Sequence, residues 1–333
     1  MSITTSQCAA GLAPISLVLT VHDDAEYLPA LLNSIGRQQL LPSELLITDL
    51  GSTDGTLQIL RDWLPPQGTS FTLIEAKGAS VSFGRNLAIE AAGCDYIAVT
   101  HGAVRLHTEW LSRLWTALVS VGGVVTGVIK PTGTSLLERT IAEIEAAEFD
   151  AVKPSDHLPP STSLGFAKEL WDAVGGYPEW LDAGQDRVFA LLLRQAGASI
   201  TVVPEAVTSW SPHLSIPGYL RASFQDARAD GQAGIVERAQ TRRRIAGIGG
   251  LVALLMAPRS PLAQVLAAAG LAYRLGGIGR HRTSDQPTER PWRRAGLAAG
   301  VVLMSDVAKL AGHCVGVARR LQDKDGVERS VIS

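Results

Sequence analysis

The sequence predicts an α/β domain built on a mostly parallel sheet, followed by an apolar, basic helical tail. Three observations carry that prediction. From residue 15 to residue 203, short aliphatic or β-branched runs alternate with segments of helical spacing, the pattern of a parallel sheet with right-handed crossovers. The stretch Leu45–Thr56, LLITDLGSTDGT, runs from a buried strand into a carboxylate, Asp49, and then into a Gly/Ser/Asp turn that opens a helix. The charge changes sign along the chain. Residues 1–234 hold 14 Lys+Arg against 25 Asp+Glu, a balance of −11, while residues 235–333 hold 16 against 7, a balance of +9.

In order, residues 1–13 read as a flexible N-terminus, lacking the positive and then apolar regions of a cleaved signal peptide. Ile15–Val21 is a buried strand. Ala25–Gln38 has helical spacing, with Leu28, Leu31, Leu32 and Ile35 on one face. Leu45–Asp49 is the second strand and Thr56–Leu64 the second helix, closed by Pro65-Pro66. Phe71–Glu75 follows as strand, Ser82–Ala92 as helix and Tyr96–Thr100 as strand. Leu111–Leu118 is amphipathic helix and Gly123–Ile129 strand. Leu136–Phe149 is a helix whose Glu138, Glu143, Glu145 and Glu148 are expected to form a solvated face. Pro154–Ser163 is a loop rich in breakers. A Gly-Gly turn ends at Gly176, a helix starts within Trp180–Gly197, and Ile200–Val203 is the last strand.

The residues beyond 234 form the third segment of the expected division 1–13, 14–234 and 235–333. Ile245–Ala257 and Leu262–Tyr273 are apolar runs of 13 and 12 residues parted by Pro258-Arg259-Ser260-Pro261. Both are shorter than the roughly 20 residues a spanning helix needs. Ala295–Ala318 is long enough, but Asp306, Lys309 and His313 interrupt it. With arginines flanking each run, these read as interfacial or re-entrant helices on an anionic membrane surface. The alternative is a helical tail that packs on the domain or dimerises. No aromatic platform interleaves the arginines, which argues against nucleic acid.

At 333 residues, 46% hydrophobic and 19% charged, the chain buries a sizeable core in about two domains. Its three cysteines, Cys8, Cys94 and Cys314, form neither a disulfide framework nor a zinc pattern, so a reduced, cytosolic compartment is the default. No Gly-x-Gly-x-x-Gly follows the first strand, which disfavours a dinucleotide site. Gly276-Gly277-Ile278-Gly279 comes after a helical pattern and too late.

Several motifs in this order resemble the nucleotide-binding core of the family 2 glycosyltransferases of GT-A fold, over roughly residues 15–234. Ile15–Asp24 (ISLVLTVHDD) is similar to that family's opening strand, Asp49 falls where the family holds the base, and Gly84-Arg85-Asn86 matches its G/A-R-N element. Gly184-Gln185-Asp186 stands at its Gly-Glu-Asp helix start. The resemblance implies nucleotide contacts at Thr20, His22, Asp24, Asp49, Ser52 and Arg85. It also implies an acceptor side at Gly184 and Gln185, and a catalytic base at Asp186. The family's metal-binding Asp-x-Asp is replaced by His101-Gly102-Ala103, so both carboxylates are gone. A lone imidazole is a poor Mg²⁺ ligand, though it suits Mn²⁺ better or donates to phosphate, and His213 is a second candidate for that role.

The implied function is an inverting glycosyltransferase using a nucleotide-sugar donor, with a divalent metal (Mn²⁺ or Mg²⁺) in question. Its acceptor would be an envelope glycan, a lipid or a small glycoside at the cytoplasmic face of the cell membrane. Two rivals remain: a non-catalytic nucleotide- or glycan-binding scaffold, favoured by loss of the metal acids, and a nucleotidyltransferase, disfavoured because its Gly-rich basic opening loop is absent.

Overall fold

The computed structural model describes residues 11–133, 135–150, 158–210, 215–236, 238–256, 259–275 and 291–322. It divides into two compact units: residues up to 130 with 158–210, and residues 131–157 with those from 211 on.

The first unit is an eight-stranded sheet in the order β3-β2-β1-β4-β7-β6-β8-β5. Its strands are β1 (Leu12–Val21), β2 (Leu41–Asp49), β3 (Ser70–Glu75), β4 (Tyr96–His101), β5 (Val104–Leu106), β6 (Val124–Pro131), β7 (Leu164–Ala167) and β8 (Ile200–Trp210). The strands β3-β2-β1-β4 run parallel. The pairs β4–β7, β6–β7 and β5–β8 are antiparallel. On β1 the side chains alternate between two cores. Ile15, Leu17 and Leu19 pack with Leu28, Leu31 and Ile35 of α1 (Leu28–Gly36) and Leu114 of α4 (Trp110–Val121). Val18, with Ile97 and Val99, packs on the other face with Ala88 and Ile89 of α3 (Val81–Ala91) and Phe189 and Leu193 of α7 (Gln185–Gln195). Helices α2 (Thr56–Asp62) and α6 (Lys168–Ala173) complete the two layers.

Helix α1 is shorter than its spacing predicts, because Pro29 fixes its first turn. Two short strands escaped the pattern altogether: three-residue β5 and four-residue β7 are below the length at which alternation is readable. Strand β8 runs through Pro204 to Trp210, well past the expected Val203. At the other end, Leu12 and Ala13 already belong to β1, and residues 1–10 lie outside the described ones.

The second unit contains α5 (Leu136–Asp150), α8 (Ile216–Ala233), α9 (Arg238–Met256), α10 (Pro261–Leu275) and α11 (Pro291–Gln322). The boundary drawn at 234 falls inside it, because α8 packs along α11. Gly231, Gly312 and Gly316 let the two backbones touch where any Cβ would collide. Helix α8 was not anticipated, although its signals are present. Ser215 caps the amide of Gly218, Pro217 lies in the first turn, and Gly234 ends the helix in the left-handed region.

The expected solvated glutamate face of α5 is corrected here. Glu143 is buried and paired with Arg294. Glu148 accepts from Arg274 Nη2 and Lys309 Nζ, each at 2.6 Å. Arg274 also donates through Nε and Nη2 to the two oxygens of fully buried Asp306, both at 2.8 Å. A carboxylate with a cation in reach is worth burying; helical spacing alone cannot show the cation.

Candidate functional site

The carboxyl ends of β1, β2 and β4 lie side by side, with Val21 opposite Asp49 and Thr20 opposite His101. That edge is where open α/β sheets take ligands. The chain leaving β1 is laced to the turn after β2. Asp23 N–H donates to Ser52 Oγ at 3.0 Å, Thr53 N–H to Asp23 Oδ1 at 2.6 Å, Asp24 N–H to Thr56 Oγ1 at 2.8 Å and Ala25 N–H to Asp54 Oδ2 at 2.9 Å. Asp23 is held at φ +53°, a left-handed backbone that a non-glycine residue adopts at some cost. Neither Asp23 nor Thr56 was singled out from sequence. Their partners lie about 30 positions away, so no local pattern carries the signal.

Asp49 is buried at the centre of this lacing. Its Oδ2 accepts the amides of Gly51 at 2.9 Å and Ser52 at 3.1 Å, and its Oδ1 accepts the Ser52 hydroxyl. The acid therefore shapes the turn, and Gly51 takes it up at φ +99°. Thr20 is buried and His22 exposed, the latter 3.8 Å from Asp23. Asp24 lies against Gly102, where any side chain would collide with its carboxyl. Burial raises the Asp24 carboxyl pKa, opposed by the His22 amide bonded to Oδ2 at 3.1 Å. The segment His101–Ala103 thus stands beside the β1 loop.

A second cluster contains the acid expected as base. Asp186, in the first turn of α7 after left-handed Gly184, receives Arg85 Nη1 on Oδ1 at 2.6 Å and the Ser161 amide on Oδ2 at 3.1 Å. Arg85 is buried and lies over the Tyr177 ring, 4.7 Å from its centroid. Tyr177 stacks on Phe189 at 4.0 Å and shares a 2.8 Å hydrogen bond with Ser161 Oγ. Asn86, next to Arg85 in sequence, fixes the turn that brings Tyr177 in: its Oδ1 accepts the Tyr177 amide at 2.8 Å and Trp171 Nε1 at 3.0 Å. Gly176, at φ +80°, passes so close to both that a Cβ would not fit. Gln185 is buried beside Asp186.

Electrostatics ties the two clusters together. Burial works to raise the Asp186 pKa, but Arg85 and the Ser161 amide outweigh it and hold the acid below the usual carboxylate range. Burial pushes His101 down to about 4, and Arg85 adds to that against the pull of Asp186. The imidazole is therefore neutral at pH 7. Its Nδ1 accepts the Ala103 amide at 3.3 Å, which puts the ring proton on Nε2 as a donor.

Residues 16–161 match the family described as Glycosyl transferase family 2. Glycosyltransferase AglE of Haloferax volcanii is 25% identical over 263 residues, covering 77% of this chain and 86% of that protein. The fold is shared with the mannosyltransferase PcManGT of Pyrobaculum calidifontis, solved with GDP-Man and Mn²⁺. That structure has a TM-score of 0.55 at 18% identity, over 89% of this chain and 87% of that one.

The described residues do not fit a Mg²⁺ or Mn²⁺ site. Among them no three His, Cys, Asp or Glu side chains converge as metal ligands. At residues 101–103 stand an Nε2–H donor, a glycine and an alanine. These are not the oxygen donors that hard cations require. His213 lies outside the described residues.

Proposed function

We propose that the chain transfers a sugar with inversion from a nucleotide-sugar donor to an acceptor hydroxyl, with Asp186 as the base. The observation that carries this is the carboxylate of Asp186, ionised by Arg85, fixed through both oxygens and still 29% exposed at the start of α7. In the step, the acceptor oxygen bonds to the anomeric carbon from the face opposite the diphosphate. The bond from that carbon to the phosphate oxygen breaks, the nucleoside diphosphate leaves, and the acceptor proton passes to Asp186. Its low pKa keeps the carboxylate ready over the whole physiological range, at the expense of basicity.

On the donor side we assign Thr20, His22, Asp24, Asp49 and Ser52 to the nucleotide, supported by their place on one sheet edge, together with Arg85 from the second cluster beside Asp186. His101 donates from Nε2 to a phosphate oxygen, and Gly184 and Gln185 line the acceptor side. The acceptor is an envelope glycan, a lipid or a small glycoside, reached at the cytoplasmic face of the cell membrane. Supporting that location are the +9 balance beyond residue 234 and the one described helix, Arg293–Gln322, long and apolar enough to cross a membrane. A screen of nucleotide-sugars for nucleoside-diphosphate release, with and without Mn²⁺, tests the reading. Release from one donor class that depends on an added acceptor is expected. Tight donor binding with no release in any combination would instead favour a non-catalytic, nucleotide-binding scaffold.

A further inference from the structure

We infer that the α9–α10 hairpin is the element that docks this protein on an anionic lipid leaflet, a conclusion that rests on the membrane location proposed above. No charged residue occurs from Ile245 to Met256, nor from Ser260 to Tyr273. Helix α10 meets α9 along a seam of small residues, where Gly250 lies against Ala267 and Gly270 against the Ala246 carbonyl. Beyond that seam the exposed side chains of both helices, from Ile245 to Met256 and from Leu262 to Tyr273, are apolar apart from Gln264. Leu255 is 71% exposed, Met256 82%, Leu262 68% and Val265 63%, with Val252 and Leu266 about half exposed. An apolar helix of this kind belongs in a core or in lipid.

Two features select lipid over a second copy of the chain. On a helical wheel of 3.6 residues per turn, the exposed apolar residues of α10, Leu262 to Tyr273, span roughly 160°. A single packed helix covers a narrower seam, whereas lipid covers every side. Cations stand at both ends of the hairpin: exposed Arg242 and half-buried Arg243 at its base, and exposed Arg259 at its loop. Arg243 lies 5.9 Å from the ring centroid of exposed Tyr273, an aromatic–cation pair suited to headgroup level. The 15 residues of α10 extend only about 22 Å, short of the roughly 30 Å hydrocarbon core. A hairpin cationic at both ends and too short to span lies along one leaflet. Helix α11 has its own reason for burying Asp306 and Lys309, since both are ion-paired within the helical unit.

The test is co-sedimentation of the full chain with vesicles of phosphatidylcholine alone or mixed with phosphatidylglycerol. Wild type is expected to partition onto the anionic vesicles and to be partly released by high salt. Leu255→Glu with Leu266→Glu should lower partitioning at least tenfold with an unchanged circular dichroism spectrum and melting temperature, since both side chains are exposed. Arg242→Gln with Arg259→Gln should lower it severalfold on anionic vesicles only. Val307→Glu, on the exposed face of α11, should change nothing. If wild type binds but the hairpin variants bind equally well, or Val307→Glu alone releases the protein, the hairpin assignment is overturned while the membrane location stands. If wild type ignores both vesicles, the membrane location itself fails. A wild-type dimer that Leu255→Glu with Leu266→Glu converts to monomer, with no vesicle binding, would identify the hairpin as a contact between copies.

Discussion

Asp186 and Glu148 are both carboxylates held by buried arginines, yet they are built for different ends. Glu148 has a cation on each oxygen, Arg274 on one and Lys309 on the other, and Arg274 is itself bonded to Asp306. That burial is offset by cations from two other helices, and the acid is driven far below its usual pKa, against desolvation, chiefly by Lys309. Asp186 has one cation and one amide, and nearly a third of its side chain stays open. A closed ion cluster fastens helices; an ion pair left open on one side can act on a substrate. The count of partners and the residual exposure distinguish the two, not the presence of the pair.

Removing a member of each pair sharpens this contrast. Glu148→Gln should leave Arg274 and Lys309 buried with weakened compensation and lower stability by about 3–5 kcal/mol, read from urea unfolding. A loss under about 1 kcal/mol would show that the cluster is solvated. The next effect concerns pH. Burial pushes the His101 imidazole down to about 4 in the folded chain, against an ordinary value near 6.5 when unfolded, so the unfolded chain binds the extra proton between those values. Stability from this group is complete above the unfolded pKa and falls as pH drops towards 4, by about 3 kcal/mol in all. His101→Gln should flatten that dependence in urea midpoints; an unchanged slope would mean the imidazole is solvated. Asp49→Ala should weaken donor binding by about 1–3 kcal/mol in calorimetry through loss of the turn it shapes. Equal affinity with an intact fold would take Asp49 out of the donor site. The smallest expected effect is that of metal chelation. With no oxygen-donor set at residues 101–103, chelator should change turnover less than about twofold. A strong Mn²⁺ requirement would show that other residues rebuild the site.

How much of this was legible beforehand follows from the range of each interaction. The strands of the parallel half, the turn after Asp49 and the placing of Arg85 and Asp186 come from short patterns in order along the chain. The pairing of those two residues, 101 positions apart, does not. Nor does Tyr177, which follows an ordinary Gly-Gly turn and becomes part of the site only because Asn86 holds its amide. The glutamates of α5 were misread for the same reason. A helix's spacing tells which residues share a face, and only the fold tells that Arg274, Arg294 and Lys309 arrive there. Strands of three or four residues, β5 and β7, are defined by their partners rather than by their own sequence.

The most direct measurement is single-turnover transfer by Asp186→Asn, made alongside donor affinity and melting temperature. Asparagine keeps the shape of the side chain and one oxygen that accepts from Arg85 or from the Ser161 amide, but it cannot take a proton at neutral pH. The expected result is a nearly normal fold and donor affinity with transfer slowed roughly 10²–10⁴-fold, the share a positioned base supplies. Transfer at the wild-type rate would contradict the assignment of Asp186 as base, and collapse of the fold would show that it fastens α7 as Glu148 fastens α5.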